Sequence, residues 1–111
     1  MGNSEIKFFG GKEMNALNWI NDWFQSNCNG DWEHGYGITI ETLDNPGWSV
    51  AIYLYDTELE GQLFKEIKFT NREDDWMVCK VENYFFKGMG DPNKLQQILE
   101  IFVAWAKQFQ D

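Results

Sequence analysis

The chain has 111 residues, 17% of them aromatic, and eighteen carboxylates against nine lysines and arginines give it a formal net charge of −9. A chain of this length forms one domain that buries about 65% of its unfolded surface, so its core needs neither a metal nor a disulfide. The acidic balance excludes nucleic-acid binding, which requires a stripe of lysine or arginine, and disfavours contact with anionic membranes.

The sequence predicts a helix at the start of the domain. Residues 1–12 are a glycine-flanked lead-in with at most one short strand, either an extension or a cloning remnant, because Met14 is a second potential start. Residues 13–27 carry apolar side chains at helical steps of three and four, and asparagine and glycine at 27–30 end that pattern. We therefore predict a single domain over residues 13–111.

Apolar residues then alternate with a period of two, which predicts strands. The alternation covers residues 36–41 and 48–55, and Asn45, Pro46 and Gly47 between them predict a structural type II turn with a positive φ at Gly47. Further strands are predicted at 63–69 and 76–81, with a hairpin turn at 71–75 and an extended or sheet-edge segment at 84–86.

An amphipathic helix at the carboxyl end is the clearest element. Asp91 is its predicted N-cap and Pro92 its first residue, and seven apolar side chains form one stripe from Leu95 to Phe109. The predicted fold is α+β, a four-stranded antiparallel meander sheet with an N-terminal and a C-terminal helix packed on one face.

Negative charge is concentrated in one half of the chain. No lysine or arginine occurs from Glu13 to Phe64, whereas this stretch holds nine carboxylates and four of the six tryptophans. The other nine acids are matched by the nine basic residues outside it. An acidic surface with tryptophan is typical of a site that meets a basic partner, although solubility alone also explains the charge.

Four reactive side chains, Cys28, Asp31, Glu33 and His34, fall within seven residues. A zinc site needs several Cys or His ligands at short spacing, and this chain has one histidine and a second cysteine only at Cys79. A nucleophilic pair of Cys28 and His34 has no evident orienting group or oxyanion hole, and neighbouring carboxylates are common on acidic surfaces. We predict no catalytic residue, no metal site and no cofactor.

Two cysteines, no apolar run of membrane-spanning length and no signal peptide together predict a cytoplasmic protein with free thiols. Cys79 lies in the middle of a predicted strand and is expected in the core. A single disulfide between Cys28 and Cys79 is the alternative.

Trp32 and Trp48 lie beside predicted turns, where tryptophan commonly serves as a binding hot spot. We predict that Trp32 is exposed. Trp48 begins the inward-facing alternation of a strand, so a structural role fits it equally well.

Two motifs with a fixed separation carry a resemblance to a known family. They are Gly30-Asp31-Trp32-Glu33-His34 and Leu43-Asp44-Asn45-Pro46-Gly47-Trp48. With residues 19–24 and 56–59 they resemble the immunity protein 53 family of bacterial polymorphic-toxin systems. Asn29 stands where family members carry an aspartate, and residues 1–12 lie outside the resemblance.

The resemblance implies a cytosolic, non-catalytic protein that binds and neutralises a cognate toxin with a basic surface. We expect residues 30–60 to supply the contact. The predicted partner-binding residues are Asp31, Trp32, Glu33, His34, Asp44, Trp48, Glu58 and Glu60. Alternatively, the motifs fold the domain and the contact lies elsewhere on the acidic half.

Two other function classes remain open at this point. A small-molecule or peptide-binding module would use an aromatic pocket, and a deep apolar cavity would favour it. A sulfurtransferase-like enzyme, the label given to some relatives, is disfavoured because the only arginine is Arg72 and neither cysteine has an arginine beside it.

Overall fold

Residues 15–110 are described by the computed structural model, and they form two helices and a five-stranded antiparallel sheet. The helices are α1 (Ala16–Asn27) and α2 (Leu95–Lys107), with a short 3-10 helix at Trp32–His34. The strands are β1 (Ile38–Leu43), β2 (Gly47–Tyr53), β3 (Ile67–Arg72), β4 (Asp75–Glu82) and β5 (Phe85–Gly90). The α+β prediction is confirmed, and the predicted lead-in at residues 1–12 lies outside the described residues.

The strands follow the order β1-β2-β5-β4-β3, so the prediction of a four-stranded meander is wrong. The hairpins β1–β2 and β3–β4 form as predicted, but β5 enters between them and pairs with both β2 and β4. Residues 84–86, predicted as an extended or edge segment, lead into this central strand. The third strand begins at Ile67 rather than at Leu63, which is 90% exposed.

The central strand β5 lacks the usual sequence signal because two of its inward positions are glycines. Phe86 is fully buried, but the next inward positions are Gly88 and Gly90. A Cβ on Gly88 would collide with the Ile98 side chain of α2. The missing side chains therefore let α2 lie directly against the middle of the sheet.

Both helices pack on the same face of the sheet, as predicted. The ring of Phe102 in α2 makes edge contacts with Trp23 of α1 and with Phe86 of β5, at centroid distances of 5.4 and 5.2 Å. Ile52, Cys79 and Phe86 from the strands are completely buried beneath the helices. The other face of the sheet is left uncovered by these two helices.

The segment before α2 differs from the prediction. The N-cap of α2 is Lys94, and Asp91 lies one turn earlier, fully buried. Its carboxylate accepts hydrogen bonds from the backbone N–H groups of Asn93 (2.8 Å) and Trp76 (2.9 Å) and from Lys94 Nζ (2.6 Å). Asp91 therefore ties the entry of α2 to β4, because this position offers it three donors instead of one capping bond.

The turn between β1 and β2 lies where predicted, at residues 44–46, but the reason for its glycine differs. Gly47 is the first residue of β2, and its φ is not positive. A Cβ on Gly47 would collide with the carbonyl oxygen of Gly90 in β5. Glycine is required here for the close approach of two backbones, so the predicted type II geometry is wrong.

Candidate partner-binding surface

The two sequence motifs lie at opposite ends of β1. Residues 30–34 precede this strand and residues 44–46 follow it, and its six residues separate the motifs by about 17 Å. We call these the loop end, formed by residues 30–37, 54–61 and 83–84, and the turn end, formed by residues 44–46 and 91–94. The contact region predicted over residues 30–60 is thus divided between two places.

Trp32 belongs to the core, so the prediction that it is exposed is wrong. Its side chain is 5% exposed and packs against Trp23 and Phe24 at ring distances of 5.8 and 5.6 Å. The 3-10 helix turns the ring inward beneath α1. Within residues 15–110, Trp32 Nε1 has no hydrogen-bond acceptor. Its predicted role as an apolar anchor for a partner is incompatible with this burial.

Glu33 holds the loop that carries Trp32. Its two carboxylate oxygens accept from the backbone N–H groups of Asn29 and Gly30, each at 2.9 Å. Hydrogen bonding from its own backbone N–H and from these two groups lowers the pKa of Glu33. Asn29 Oδ1 accepts from the backbone N–H groups of Asp31 and Trp32, at 3.0 Å each, as an aspartate could do with added charge.

His34 and Asp31 present their side chains to solvent on this loop. His34 is 78% exposed, and its Nε2 lies 4.0 Å from Glu33 Oε2. Asp31 makes no side-chain capping bond to the 3-10 helix that follows it. These two residues are free to meet a partner, whereas Glu33 is committed to the loop.

The loop after β2 is held by two of its own acids. Glu60 Oε1 accepts from the backbone N–H of Asp56 at 2.8 Å, and Glu58 Oε2 accepts from Trp23 Nε1 at 3.2 Å. Leu59 between them is fully buried and anchors the loop. Glu58 and Glu60 remain exposed although each has one structural bond.

The structure collects six of the eight predicted contact residues at the loop end. Trp23 joins their two segments, because its ring packs on Trp32 and its indole N–H binds Glu58. The other two, Asp44 and Trp48, lie at the turn end and beside it. Asp44 is exposed in the turn, and Trp48 is half-buried with its indole N–H donating to the Pro92 carbonyl at 3.2 Å.

The acids of the acidic half have no lysine or arginine partner within the described residues. The contact found there is between Glu33 and the imidazole of His34, at 4.0 Å. Four acids elsewhere have basic partners: Glu82 contacts Lys80 and Lys87, Asp75 and Asp91 contact Lys94, and Asp74 contacts Arg72. Among residues 15–110, the acids that have a lysine or arginine partner therefore all lie outside the acidic half.

An aromatic cluster that the sequence analysis did not single out lies at the loop end. It contains all four tyrosines of the chain, and two of them, Tyr36 and Tyr53, pack on Phe85. Tyr53 contacts Tyr36 at 5.2 Å and Tyr55 at 6.0 Å, and Tyr55 contacts Tyr84 at 5.5 Å. We call Tyr36, Tyr53, Tyr55, Tyr84 and Phe85 the tyrosine cluster. The available signal was Tyr53 and Tyr55 at outward positions of the β2 alternation.

Glu60, in the loop after β2, interacts electrostatically with Tyr53 of this cluster. Burial first, then the neighbouring tyrosines and Glu60, raise the pKa of Tyr53. A raised pKa keeps the phenol protonated at neutral pH, so its hydroxyl remains a donor. Glu60 thus adds negative charge beside neutral aromatic rings.

Two surface pockets lie next to the loop end. A groove of about 660 Å³ runs between α1 and β1, and apolar side chains such as Leu17, Phe24 and Ile40 line most of it. A smaller cleft of about 430 Å³ lies between the 60–62 loop and the β4–β5 turn, lined by Glu60, Glu82 and Tyr84 among others. The groove is an open channel rather than the deep cavity that would favour a small-molecule site.

Cys28 is exposed and Cys79 is buried, both as free thiols, and burial raises the pKa of Cys79 to about 12. The core position predicted for Cys79 is confirmed. Among residues 15–110, no three His, Cys, Asp or Glu side chains are grouped to hold a metal ion. Neither α1 nor α2 is long and apolar enough to cross a membrane, nor is any other helix of the described part.

Comparison with protein families decides the assignment. The profile described as Immunity protein 53 matches residues 17–107, which include α2, all five strands and all of α1 except Ala16. The chain belongs to the immunity protein 53 family. The resemblance seen in the two motifs is confirmed, and membership supports an immunity function in general and suggests a non-enzymatic role. No curated protein and no solved structure matches this immunity protein.

Proposed function

We propose that this immunity protein binds a cognate bacterial toxin in the cytoplasm and neutralises it through the acidic surface of the loop end. The supporting observation is the set of exposed carboxylates without lysine or arginine partners in the part of the chain that the structure describes. Asp31, Asp56, Glu58 and Glu60 supply the charge. The protein acts by binding alone.

The chemistry of the surface indicates the kind of toxin. Many toxins are enzymes with basic substrate clefts, and an acidic protein surface can occupy such a cleft in place of an anionic substrate. Unpaired charge also accelerates association with a cationic partner by electrostatic steering. A toxin with a basic active-site cleft therefore fits this surface best.

The test is a calorimetric titration against the toxin domain encoded beside this gene, at low and high salt. The loop-end variant Asp31→Asn/Asp56→Asn removes two charges while keeping residues that tolerate the same backbone, including φ of 63° at Asp56. The turn-side variant Glu41→Gln/Asp44→Asn removes two charges at the other end of β1 and serves as the matched control.

We expect the loop-end variant to bind about tenfold more weakly or worse at low salt, with a smaller difference at high salt because ions screen the charges. The control variant should bind like the wild type. Loss confined to the control variant would move the contact to the turn end. Absence of binding by folded wild-type protein would overturn the proposed function.

The groove between α1 and β1 supports a second candidate function, a module that binds an extended peptide. β1 is an edge strand of the sheet, and Leu17 and Ile40 in the groove are 64% and 40% exposed. A peptide strand could pair with this edge and place apolar side chains in the groove. Leu17→Glu would then abolish binding of the toxin segment, whereas the loop-end charge variant would not.

A further inference from the structure

The tyrosine cluster contains more aromatic surface than the sheet requires. Tyr53 and Phe85 face each other across β2 and β5, and such cross-strand aromatic pairs stabilise sheets. Tyr36, Tyr55 and Tyr84 lie outside the strands and are 72%, 48% and 54% exposed. Packing within the sheet accounts for the first pair but not for these three rings.

The backbone at Tyr84 has a conformation that large side chains rarely adopt. Asn83 and Tyr84 form the two-residue turn between β4 and β5 with φ of 52° and 69°, as in a type I′ turn. Such turns prefer asparagine followed by glycine, because a bulky side chain is strained at positive φ. Strained residues of this kind concentrate at functional sites.

A carboxylate without a basic partner lies beside the exposed rings. Glu60 and Glu82 line the cleft beside Tyr84, and the bond from the Asp56 backbone N–H to Glu60 Oε1 fixes the first of these carboxylates. Glu82 is paired with both Lys80 and Lys87, so Glu60 is the carboxylate of this cleft that has no lysine or arginine partner within residues 15–110. Aromatic faces beside a carboxylate are the environment that an arginine guanidinium recognises, by stacking and by paired hydrogen bonds.

We infer that the tyrosine cluster is the centre of the toxin contact and that it receives arginine side chains of the toxin, with Glu60 as their carboxylate partner. This inference rests on the proposed function and identifies the apolar part of the interface, which Trp32 cannot supply. Tyrosine and arginine are the residue types that dominate binding hot spots. The acidic loops steer the toxin, and the rings hold it.

The first test uses the protein without the toxin. A tetra-arginine peptide is titrated into the labelled immunity protein and followed by amide chemical shifts, with a tetra-lysine peptide as the control of equal charge. The geometry predicts shifts at Tyr36, Asn83 and Tyr84 that are larger for arginine. Equal shifts for both peptides, or shifts confined to the Asp44 turn, would overturn the assignment of arginine to the cluster.

The second test measures affinity for the toxin domain with paired substitutions. Tyr36→Leu removes the aromatic face, whereas Tyr36→Phe keeps it. Tyr84→Gly removes a ring and gives the turn its preferred residue, so we expect it to fold as stably as the wild type, which its thermal midpoint checks. We expect Tyr36→Leu and Tyr84→Gly to weaken binding about tenfold or more, and Tyr36→Phe to stay within about threefold of the wild type.

The outcomes separate this inference from the function on which it rests. Wild-type affinity in Tyr36→Leu and Tyr84→Gly, together with weak binding by Asp31→Asn/Asp56→Asn, would overturn the tyrosine contact and leave the acidic contact standing. Absence of binding by the folded wild type would overturn both. Weak binding by all three variants, with a thermal midpoint of Tyr84→Gly at or above that of the wild type, would support both.

Discussion

Trp23 donates its indole N–H to Glu58 Oε2 at 3.2 Å, while its ring meets Trp32 edge-on at 5.8 Å. One side chain of α1 therefore holds both acidic segments of the loop end. The carboxylates of this surface are positioned from the core rather than attached to independent loops. A rigid acidic surface loses less conformational entropy on binding than a mobile one.

Replacement of Glu58 separates its two roles. Glu58→Gln keeps an acceptor for Trp23 and should change the free energy of unfolding by less than about 0.5 kcal/mol. Glu58→Ala removes the acceptor and should cost about 1 kcal/mol. Urea unfolding of both variants checks the structural part. Weaker toxin binding by Glu58→Gln at unchanged stability would identify the charge itself as a contact.

Trp32 should behave as a core residue. Trp32→Ala leaves a large cavity beside Trp23 and Phe24 and should lower the free energy of unfolding by about 4 kcal/mol. Trp32→Phe keeps an aromatic ring and removes an N–H that has no acceptor within residues 15–110, so the loss should stay near 1 kcal/mol. Denaturant titration measures both, and a Trp32→Ala protein as stable as the wild type would contradict its burial.

Gly47 should tolerate no side chain. Gly47→Ala places a methyl group against the Gly90 carbonyl and should cost about 2 kcal/mol. Ser49→Ala, two residues along the same strand on the uncovered face, is the control and should be nearly neutral. Equal thermal midpoints for the two variants would show that β2 and β5 are not in close backbone contact.

Asp91 should make stability depend on pH in the acid range. Burial alone would raise its pKa, but hydrogen bonds from Lys94 Nζ and from the Asn93 and Trp76 backbones lower the pKa from 3.8 to about 2. A group with a depressed folded pKa contributes stability that is complete above its unfolded pKa and is lost as the pH falls through its folded pKa. The stabilisation should therefore be complete above about pH 5 and disappear towards pH 2.

Asp91→Asn, which does not titrate, provides the measurement for that pH dependence. The difference in unfolding free energy between wild type and variant should be constant from pH 5 to pH 7 and shrink between about pH 4 and pH 2. At neutral pH the variant leaves Lys94 with Asp75 alone and should lose about 3 kcal/mol. A difference independent of pH would mean that folding does not lower the pKa of Asp91.

Local patterns in the sequence predicted much of the fold. In α2 and in β2, apolar side chains recur at the spacing that places them on one face of the element. Both elements lie where this spacing predicts them. β5 was missed because Gly88 and Gly90 remove the side chains by which a strand is recognised, and its central position depends on pairing with two distant hairpins. The periodicity of apolar residues within one segment does not show which distant strands that segment pairs with.

The candidate surface could be predicted only in part for a similar reason. The absence of lysine and arginine over half the chain predicted acids without basic partners, and within residues 15–110 the acids of that half contact no lysine or arginine. It could not show that β1 holds the two motifs apart, or that Trp32 turns inward to meet Trp23. The tyrosines are spread from Tyr36 to Tyr84, and only the folded sheet brings them together.

Survival of cells that express the toxin domain encoded beside this gene tests the central claim most directly. Wild-type protein, the loop-end variant Asp31→Asn/Asp56→Asn and the control variant Glu41→Gln/Asp44→Asn would be co-expressed at equal soluble levels. We predict protection by the wild type and the control variant, and loss of protection by the loop-end variant. Full protection by the loop-end variant, or none by the wild type, would contradict neutralisation through the loop end.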